Sequence, residues 1–599
     1  MRRLILFGFV LLAVSVRVKA DPVTPRQAAA VAERFLSAES PATKTANGSL
    51  RLTGTWPQVR TKGAASEPAL FLFERDGGGY VVVAADDCSI PVIGYSATGR
   101  LPIDQLPCNL RSMLDWHASM IDYARNQHLP SPEATKTLWL SAAAPEGEGV
   151  LLETAHWNQV GHPYYDMIPT LNGESCPAGC VALAQAIIMR YHQWPLKGTG
   201  TLPGYYWEGG KTQMEGHDLG YAYDWSQMPL IFQEGQYTEE QGRQVARLLY
   251  DLAIMSEMNF TPGESSARAD AELKLPRYFG YDKQIRFLDW NYYTKDVWED
   301  MIRAELDLSR PVYYGGVNKR QGGHAFVVDG YKGFYFSLNY GWGHGSEYYL
   351  LRPSVSLPDE KVTEFCQWSC MATHIYPDQG GEAYPVFVFD AFTPFPWDFR
   401  SKSFTIGSRT LEAYSSEVVE VPMGYALFDR KGRFKEILCD PVLVRSDNPR
   451  IPEVTCNIPS TIEEGDCLKL ALQVNGVWTP INETTQSFVE FHPGKKLSEI
   501  ICLDHTILDE IYSLFDLPYL YLRGEKAVYW EIWSADEDVC MATSRDISRY
   551  GELGDELYFV LTKWDSDANQ YRVEFNFPSG NYRLLLRNFD EEITATIKM

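Results

Sequence analysis

Basic residues are in short supply in this chain. Its 54 Lys and Arg face 78 Asp and Glu, a formal charge of −24 at pH 7 over 599 residues. A phosphate backbone needs a basic face, so no nucleic-acid partner is expected. Cysteine is scarce as well. Eleven in the whole chain are too few for a disulfide-scaffolded fold, and the odd number leaves at least one thiol free. No later run approaches the ~18 apolar residues of a transmembrane helix, so none is expected. What is present is a long acidic chain, too long for one core, which predicts three or four folded domains.

The N-terminus reads as an export signal. Arg2 and Arg3 precede an apolar run from Leu4 to Val16, and Val18-Lys19-Ala20 places small residues at −3 and −1 of a cleavage point before Asp21. The run is too short to span a membrane. No cysteine follows the cleavage point, so a lipid anchor is not indicated. The expectation is a signal peptide over 1–20 and an exported product without a membrane span, extracellular or periplasmic.

The most informative segment is Cys176-Pro-Ala-Gly-Cys180, which runs into Val-Ala-Leu-Ala-Gln-Ala-Ile-Ile-Met-Arg-Tyr-His192. A cysteine after a Pro-Ala-Gly turn opens an apolar helix. Free N–H groups and the positive end of a helix stabilise a thiolate, and a nearby imidazolium lowers the thiol pKa further. The competing reading is a free cysteine serving as a small core residue.

Roughly 140 residues downstream, in the papain-type order and spacing, comes Gly322-Gly323-His324-Ala325-Phe326-Val327-Val328-Asp329, a strand by its β-branched run. Asn339-Tyr340-Gly341-Trp342-Gly343 follows. Cys, His and Asn in this order supply a nucleophile, a proton shuttle and a group to orient the imidazole. Upstream, Gln159 in Trp157-Asn158-Gln159-Val160-Gly161-His162-Pro163-Tyr164 offers a side-chain amide. With the Cys180 backbone N–H it would meet an oxyanion's need for preplaced donors. Asp329 is the rival third member, but on a strand positions five apart point to opposite faces. Asn339 is the better choice.

These pieces resemble the streptopain-type cysteine peptidases of streptococci and Bacteroidetes. The resemblance rests on Trp157-Asn158-Gln159 with Pro163-Tyr164, Gly179-Cys180-Val181-Ala182 running into Met189-Arg190-Tyr191-His192 and Pro195, and Pro311-Val312-Tyr313-Tyr314. Gly323 through Gly330 and Asn339 through Gly343 complete it. It covers roughly residues 150–376 and, more loosely, what precedes them. It implies an α+β, papain-like core with Cys180 and His324 as the catalytic pair, Gln159 in the oxyanion hole, and Asn339 and the following Trp residues supporting the histidine. Tyr340 stands where the family often has tryptophan, leaving Trp342 as the ring over the histidine. Cys176 has no necessary counterpart, and a second thiol so close to the nucleophile is a candidate for redox sensitivity. Met258–Ala267 resembles the family's serine-rich substrate loop, with Ser265 and Ser266 as contacts; a solvated turn is the competing reading. The reaction so implied hydrolyses proteins or peptides and requires no metal or other cofactor.

Residues 21–145 begin with Thr24-Pro25 and an Ala-rich helix through Phe35. Strand-like runs at 69–73, 80–85 and 90–95 follow, then helical periodicity over 110–124. The pattern predicts a small α+β module, and the resemblance implies an inhibitory propeptide released between about 137 and 152. Past residue 377, short apolar and β-branched runs alternate with turns. They predict β-sandwich-like modules over 377–490 and 491–599, with one helix near 507–515. Such modules are expected to bind a surface or partner, although a fold alone carries no function. Cys439, Cys456, Cys467, Cys502 and Cys540 are open to pairing or burial. Two competing readings stand beside the zymogen peptidase. One is a structural zinc or disulfide site at Cys176, Cys180, Cys366 and Cys370. The other is a catalytically silent secreted binding protein acting through its β modules.

Overall fold

A computed structural model describes residues 20–39, 48–57, 67–141, 149–351 and 368–389, then 411–481, apart from short interruptions; elsewhere it describes strands only. The export signal, the centre of the linker at 142–148, Cys366 and the helix expected near 507–515 lie outside the described residues.

The first helix, α1 (Pro25–Glu39), starts at a capping box. Gln27 N donates to Thr24 Oγ1 at 3.3 Å and Thr24 N donates to Gln27 Oε1 at 2.8 Å. Its apolar stripe of Ala28, Val31, Ala32, Phe35 and Leu36 is buried. Four antiparallel strands follow: β1 (Leu50–Trp56), β2 (Leu70–Arg75), β3 (Tyr80–Ala84) and β4 (Val92–Ser96). Helices α2 (Cys108–Asn126) and α3 (Glu133–Ser141) close this region.

Next come β5 (Val150–Leu151), α4 (Cys180–His192), α5 (Glu239–Met255), β6 (Arg286–Asp289), α6 (Lys295–Asp307) and β7 (Val312–Asn318). The long strand β8 (Gly322–Lys332), β9 (Tyr335–Asn339), β10 (Glu347–Tyr349) and β11 (Trp368–Thr373) complete the set. The sequence separates an N-terminal module from a catalytic one. The backbone joins them in one 11-stranded sheet of order β1-β2-β3-β4-β10-β9-β8-β7-β11-β6, with β5 added on β8. The joint is short: Tyr348 pairs with Tyr95, and Tyr349 with Gly94. A Cβ at Gly94 would sit 2.0 Å from the Tyr349 ring, so the seam admits only glycine there.

One face of this sheet carries a core that mixes both regions, with Phe35, Tyr80 and Tyr95 beside Phe326, Tyr335, Tyr340 and Tyr349. The opposite face packs Tyr313, Ala325 and Val327 against α4 and α5. This alternation along β8 follows from the period-2 geometry of a strand.

At the seam, Tyr80 and Tyr349 share a hydroxyl contact of 2.5 Å, and Tyr349 Oη donates to Glu347 Oε2 at 3.3 Å. Burial pushes the Glu347 carboxyl up to about 7 from its ordinary 4.5. A carboxyl whose pKa is raised by docking favours the docked state in acid. Its contribution is complete below about 4.5 and is lost as pH climbs through 7. Docking of residues 21–141 is therefore expected to weaken between pH 5 and pH 8, by at most about 3 kcal/mol. Limited proteolysis of a Cys180→Ala precursor across that range, with Glu347→Gln as the control expected to flatten the dependence, checks it.

After residue 377, the strand Val386–Phe389 pairs with Leu411–Tyr414, and Ser403–Ile406 pairs with Val454–Asn457. A six-stranded sheet is built on Glu420–Phe428 and Cys467–Val474. Described strands from Ile501 onward pair only among themselves. Among the described residues no helix is long and apolar enough to cross a membrane.

Candidate active site

Cys180 is the first residue of α4, and no side chain caps this helix start, so its leading amides stay available. Gly179 makes the turn at φ 94°, where a Cβ would meet Met258 Cε at 2.5 Å. The half-buried Cys180 thiol accepts from the main chain of Ala325, the residue after His324, and from Val181. The nucleophile candidate thus meets the strand that carries the base candidate. Burial nevertheless holds the thiol above its ordinary value of 9, against those hydrogen bonds.

The Gln159 segment is tied to the same turn, since Ala178 N donates to Gln159 O at 2.9 Å. Asn158 Oδ1 accepts from Gln159 N at 2.7 Å and Val160 N at 3.2 Å, an Asx turn that sets the direction of residue 159. Gly343 N donates to Trp157 O at 3.0 Å, and Asn158 bridges to Trp342. Main-chain bonds therefore hold residues 157–160, 178–180 and 341–343 against one another.

His324 is 7% exposed and lies beneath the indole of Trp342, with ring centroids 5.7 Å apart and planes at 15°. Phe326 stacks farther away, at 6.4 Å. His324 Nε2 donates to Tyr340 O at 3.0 Å, because a carbonyl can only accept; this leaves Nδ1 as the unprotonated nitrogen. Burial lowers the ring's pKa to about 4, so it is neutral at pH 7 in this state.

The bond expected from Asn339 to the imidazole is not formed. Asn339 Nδ2 donates to Thr154 Oγ1 and to Ala155 O, both at 2.9 Å, while its Oδ1 accepts from Gly341 N at 3.2 Å. Both amide hydrogens and one lone pair of its oxygen are thus engaged in holding the turn whose next carbonyl, that of Tyr340, accepts the hydrogen bond from the histidine. Thr154 Oγ1 in turn donates to Asp329 Oδ2 at 2.6 Å, and Ser337 Oγ donates to Asp329 Oδ1 at 2.6 Å. Asp329 accordingly serves this buried network rather than the ring. Replacing Asn339 by alanine strands buried partners and is expected to cost about 2–3 kcal/mol in denaturant unfolding. Activity lost at unchanged stability would instead make Asn339 a direct partner of the ring.

Gly323 pairs with Val317 across β7. Ser265 is buried beside Gly179, its Cβ 3.4 Å from where a Gly179 Cβ would stand. Ser266 is exposed and pairs with Asn259 through the main chain. The carboxylate of Glu264 in this loop is close enough to push up the pKa of both Cys180 and His324, and nothing in the sequence singled it out. Thr154 and the Ala325 amide were equally silent, since their importance lies in what they touch. Cys176 is buried, and burial raises its thiol above the ordinary value. Among the described residues no group of three or more His, Cys, Asp and Glu is placed to hold a metal.

Residues 157–349 match the model of the peptidase C10 family, and residues 20–121 match that of the Spi protease inhibitor. The chain carries a streptopain-type cysteine peptidase domain. Over 344 residues it is 33% identical to the thiol protease/hemagglutinin PrtT of Porphyromonas gingivalis, covering 54% of this chain but 38% of that relative. Over 316 residues it is 28% identical to streptopain of Streptococcus pyogenes, covering 48% of this chain and 75% of streptopain. A fragment of prointerpain A from Prevotella intermedia superposes with a TM-score of 0.42 at 25% identity, covering 55% of this chain and 99% of the fragment. The architecture is α+β: a core that matches the C10 model, a region ahead of it that matches the Spi inhibitor model, and β-rich sheets behind. The region that matches the Spi inhibitor model and the region that matches the C10 model share a single sheet.

Proposed function

We propose that the protein is a secreted cysteine endopeptidase made as a zymogen. The observation that carries this reading is the Cys180 thiol at an uncapped helix start, bonded to the residue that follows His324. His324 takes the thiol proton at Nδ1 and the thiolate attacks the scissile carbonyl. Gln159 and the Cys180 amide hold the oxyanion. The imidazolium then protonates the leaving amine, and water releases the acyl group from sulfur. Trp342 and the Tyr340 carbonyl hold the ring, and Asn339 positions that carbonyl. Ser265 and Ser266 contact substrate beside the nucleophile. No step calls for a metal or other cofactor.

The division of the chain follows the same reading: signal peptide 1–20, inhibitory propeptide 21–145, catalytic domain 146–376, and β-rich modules over 377–490 and 491–599 that bind a surface or partner. Substrates are proteins or peptides. The propeptide acts as an intramolecular inhibitor whose release follows cleavage in the 137–152 stretch.

The experiment is incubation of full-length precursor, wild type beside Cys180→Ala, under mild reductant. Chain length is followed by intact mass and hydrolysis with an unfolded protein substrate. Wild type is expected to trim itself near residue 145 and then digest the substrate, and the variant to do neither. Equal behaviour of the two removes Cys180 as the nucleophile. Inactivity of both, even after residues 1–145 are removed, would favour a silent binding protein.

A further inference from the structure

Outside the peptidase core, two thiols from different sheets meet. Cys439 lies in a bend two residues past the strand Phe434–Ile437 of the six-stranded sheet, where the preceding Leu438 N donates to Tyr425 O at 2.8 Å. Cys456 lies in Val454–Asn457, paired with Phe404 of the neighbouring three-stranded sheet. The peptides flanking the two cysteines are themselves bonded, with Asn457 N donating to Leu438 O at 2.8 Å. Both side chains are buried in one core, at 8% and 0% exposure, as unbonded thiols in direct contact. Hydrogen-bonded neighbouring segments run about 5 Å apart, inside the Cα separation a disulfide needs.

We propose that Cys439 and Cys456 form a disulfide that staples the two sheets of the first C-terminal module. The bond joins the two Sγ atoms, and two protons and two electrons leave. The acceptor is a disulfide, either of a thiol-disulfide oxidoreductase or of a small molecule such as oxidised glutathione, which is reduced to two thiols. One cysteine attacks the acceptor to give a mixed disulfide, and the other displaces it. Burial of the finished pair places this exchange during folding, before the core closes, and then protects the bond from reductants that keep Cys180 active. Of the other described thiols, Cys467 donates to the Gly465 carbonyl at 3.6 Å, and Cys370 lies beneath Gly315. This proposal is independent of the peptidase reading, because Cys180 takes no part in it.

The test uses full-length Cys180→Ala protein, which cannot digest itself by the proposed mechanism, folded in a glutathione redox buffer. It is then denatured without reductant, alkylated with iodoacetamide, digested and mapped by mass. The expected result is a linked peptide pair containing Cys439 and Cys456, two hydrogens lighter than the free peptides and separated by reduction. Alkylation of both thiols, or linkage of either to another cysteine, overturns the proposal. A Cys439→Ser/Cys456→Ser variant adds a second readout. Closing a loop of this size is expected to raise the module's unfolding temperature by on the order of 10 °C. The oxidised parent should therefore unfold later than the variant, and the reduced parent alongside it. Coincident unfolding of oxidised parent and variant overturns the staple. Should the variant not fold, the peptide map decides alone.

Discussion

Replacing His324 by alanine is expected to lower kcat/KM of the processed protein by on the order of 10³-fold, within the usual span for removing a general base. The expectation rests on what the thiol itself touches. The Cys180 thiol touches main-chain groups of Ala325 and Val181, which can hold a thiolate but cannot accept its proton. Asp329, the nearest acid in sequence, has its oxygens engaged by Thr154 and Ser337. The same variant should fail to trim its own precursor yet remain folded, because the imidazole bonds a single carbonyl, that of Tyr340, and lies over a broad indole. Steady-state hydrolysis of an unfolded substrate, with circular dichroism as the folding control, measures it. A loss under tenfold would mean that His324 is not the proton shuttle.

The second large effect concerns the thiol before and after release of the N-terminal region. In the precursor, burial raises Cys180 above 9 and lowers His324 to about 4. Both are then neutral at pH 7, and no imidazolium is present to lower the thiol. Alkylation of Cys180 by iodoacetamide should be slow at pH 7 and rise about tenfold per pH unit toward 9, following the thiolate fraction. Trp342, the ring over His324, packs against the cluster that also holds Phe35, Tyr80 and Tyr95 of the N-terminal region, so part of that burial is expected to depend on this region. Removing residues 1–145 re-exposes this face to water, which restores a favourable environment for a thiolate and imidazolium pair. Alkylation at pH 7 is then expected to accelerate by on the order of 10²-fold and to lose most of its pH dependence above 6. Equal rates in precursor and processed protein would show that the inhibitor region does not control the charge state of the site. The measurement needs no substrate, so it separates activation of the thiol from opening of the substrate cleft.

These two effects also separate what is local from what is not. A cysteine at a helix start announces itself within a few residues, because the Pro-Ala-Gly turn, the left-handed Gly179 and the apolar run are all contiguous. The Cys, His, Asn order and Gln159 ahead of it survive as spacing along the chain. They were enough to place the peptidase core and to bring Trp342 forward as the ring over the base. The alternation of β8, with Ala325 and Val327 facing α4 while Phe326 and Val328 face the other core, is likewise a period-2 pattern open to reading. Helix α1 and strands β2 to β4 followed from caps and β-branched runs for the same reason.

Other features had no local signal. Asn339 looks like a partner for the imidazole until its amide is seen bonded to Thr154 and Ala155, residues far away in the chain. The inhibitor region reads as a separate module, because two register pairs between β4 and β10 leave no mark on composition or periodicity. The Cys439 and Cys456 contact is hidden for the same reason, since one pairing among several cysteines is a choice made by strand order. The elements and the chemistry at the nucleophile are local, because propensity, capping and side-chain type act over a turn or a strand. Which carbonyl holds the histidine, how the inhibitor region joins the sheet and which thiols meet follow from the folded chain alone. Those are contacts between segments remote in the chain, selected by the packing of the whole core and not by the residues on either side.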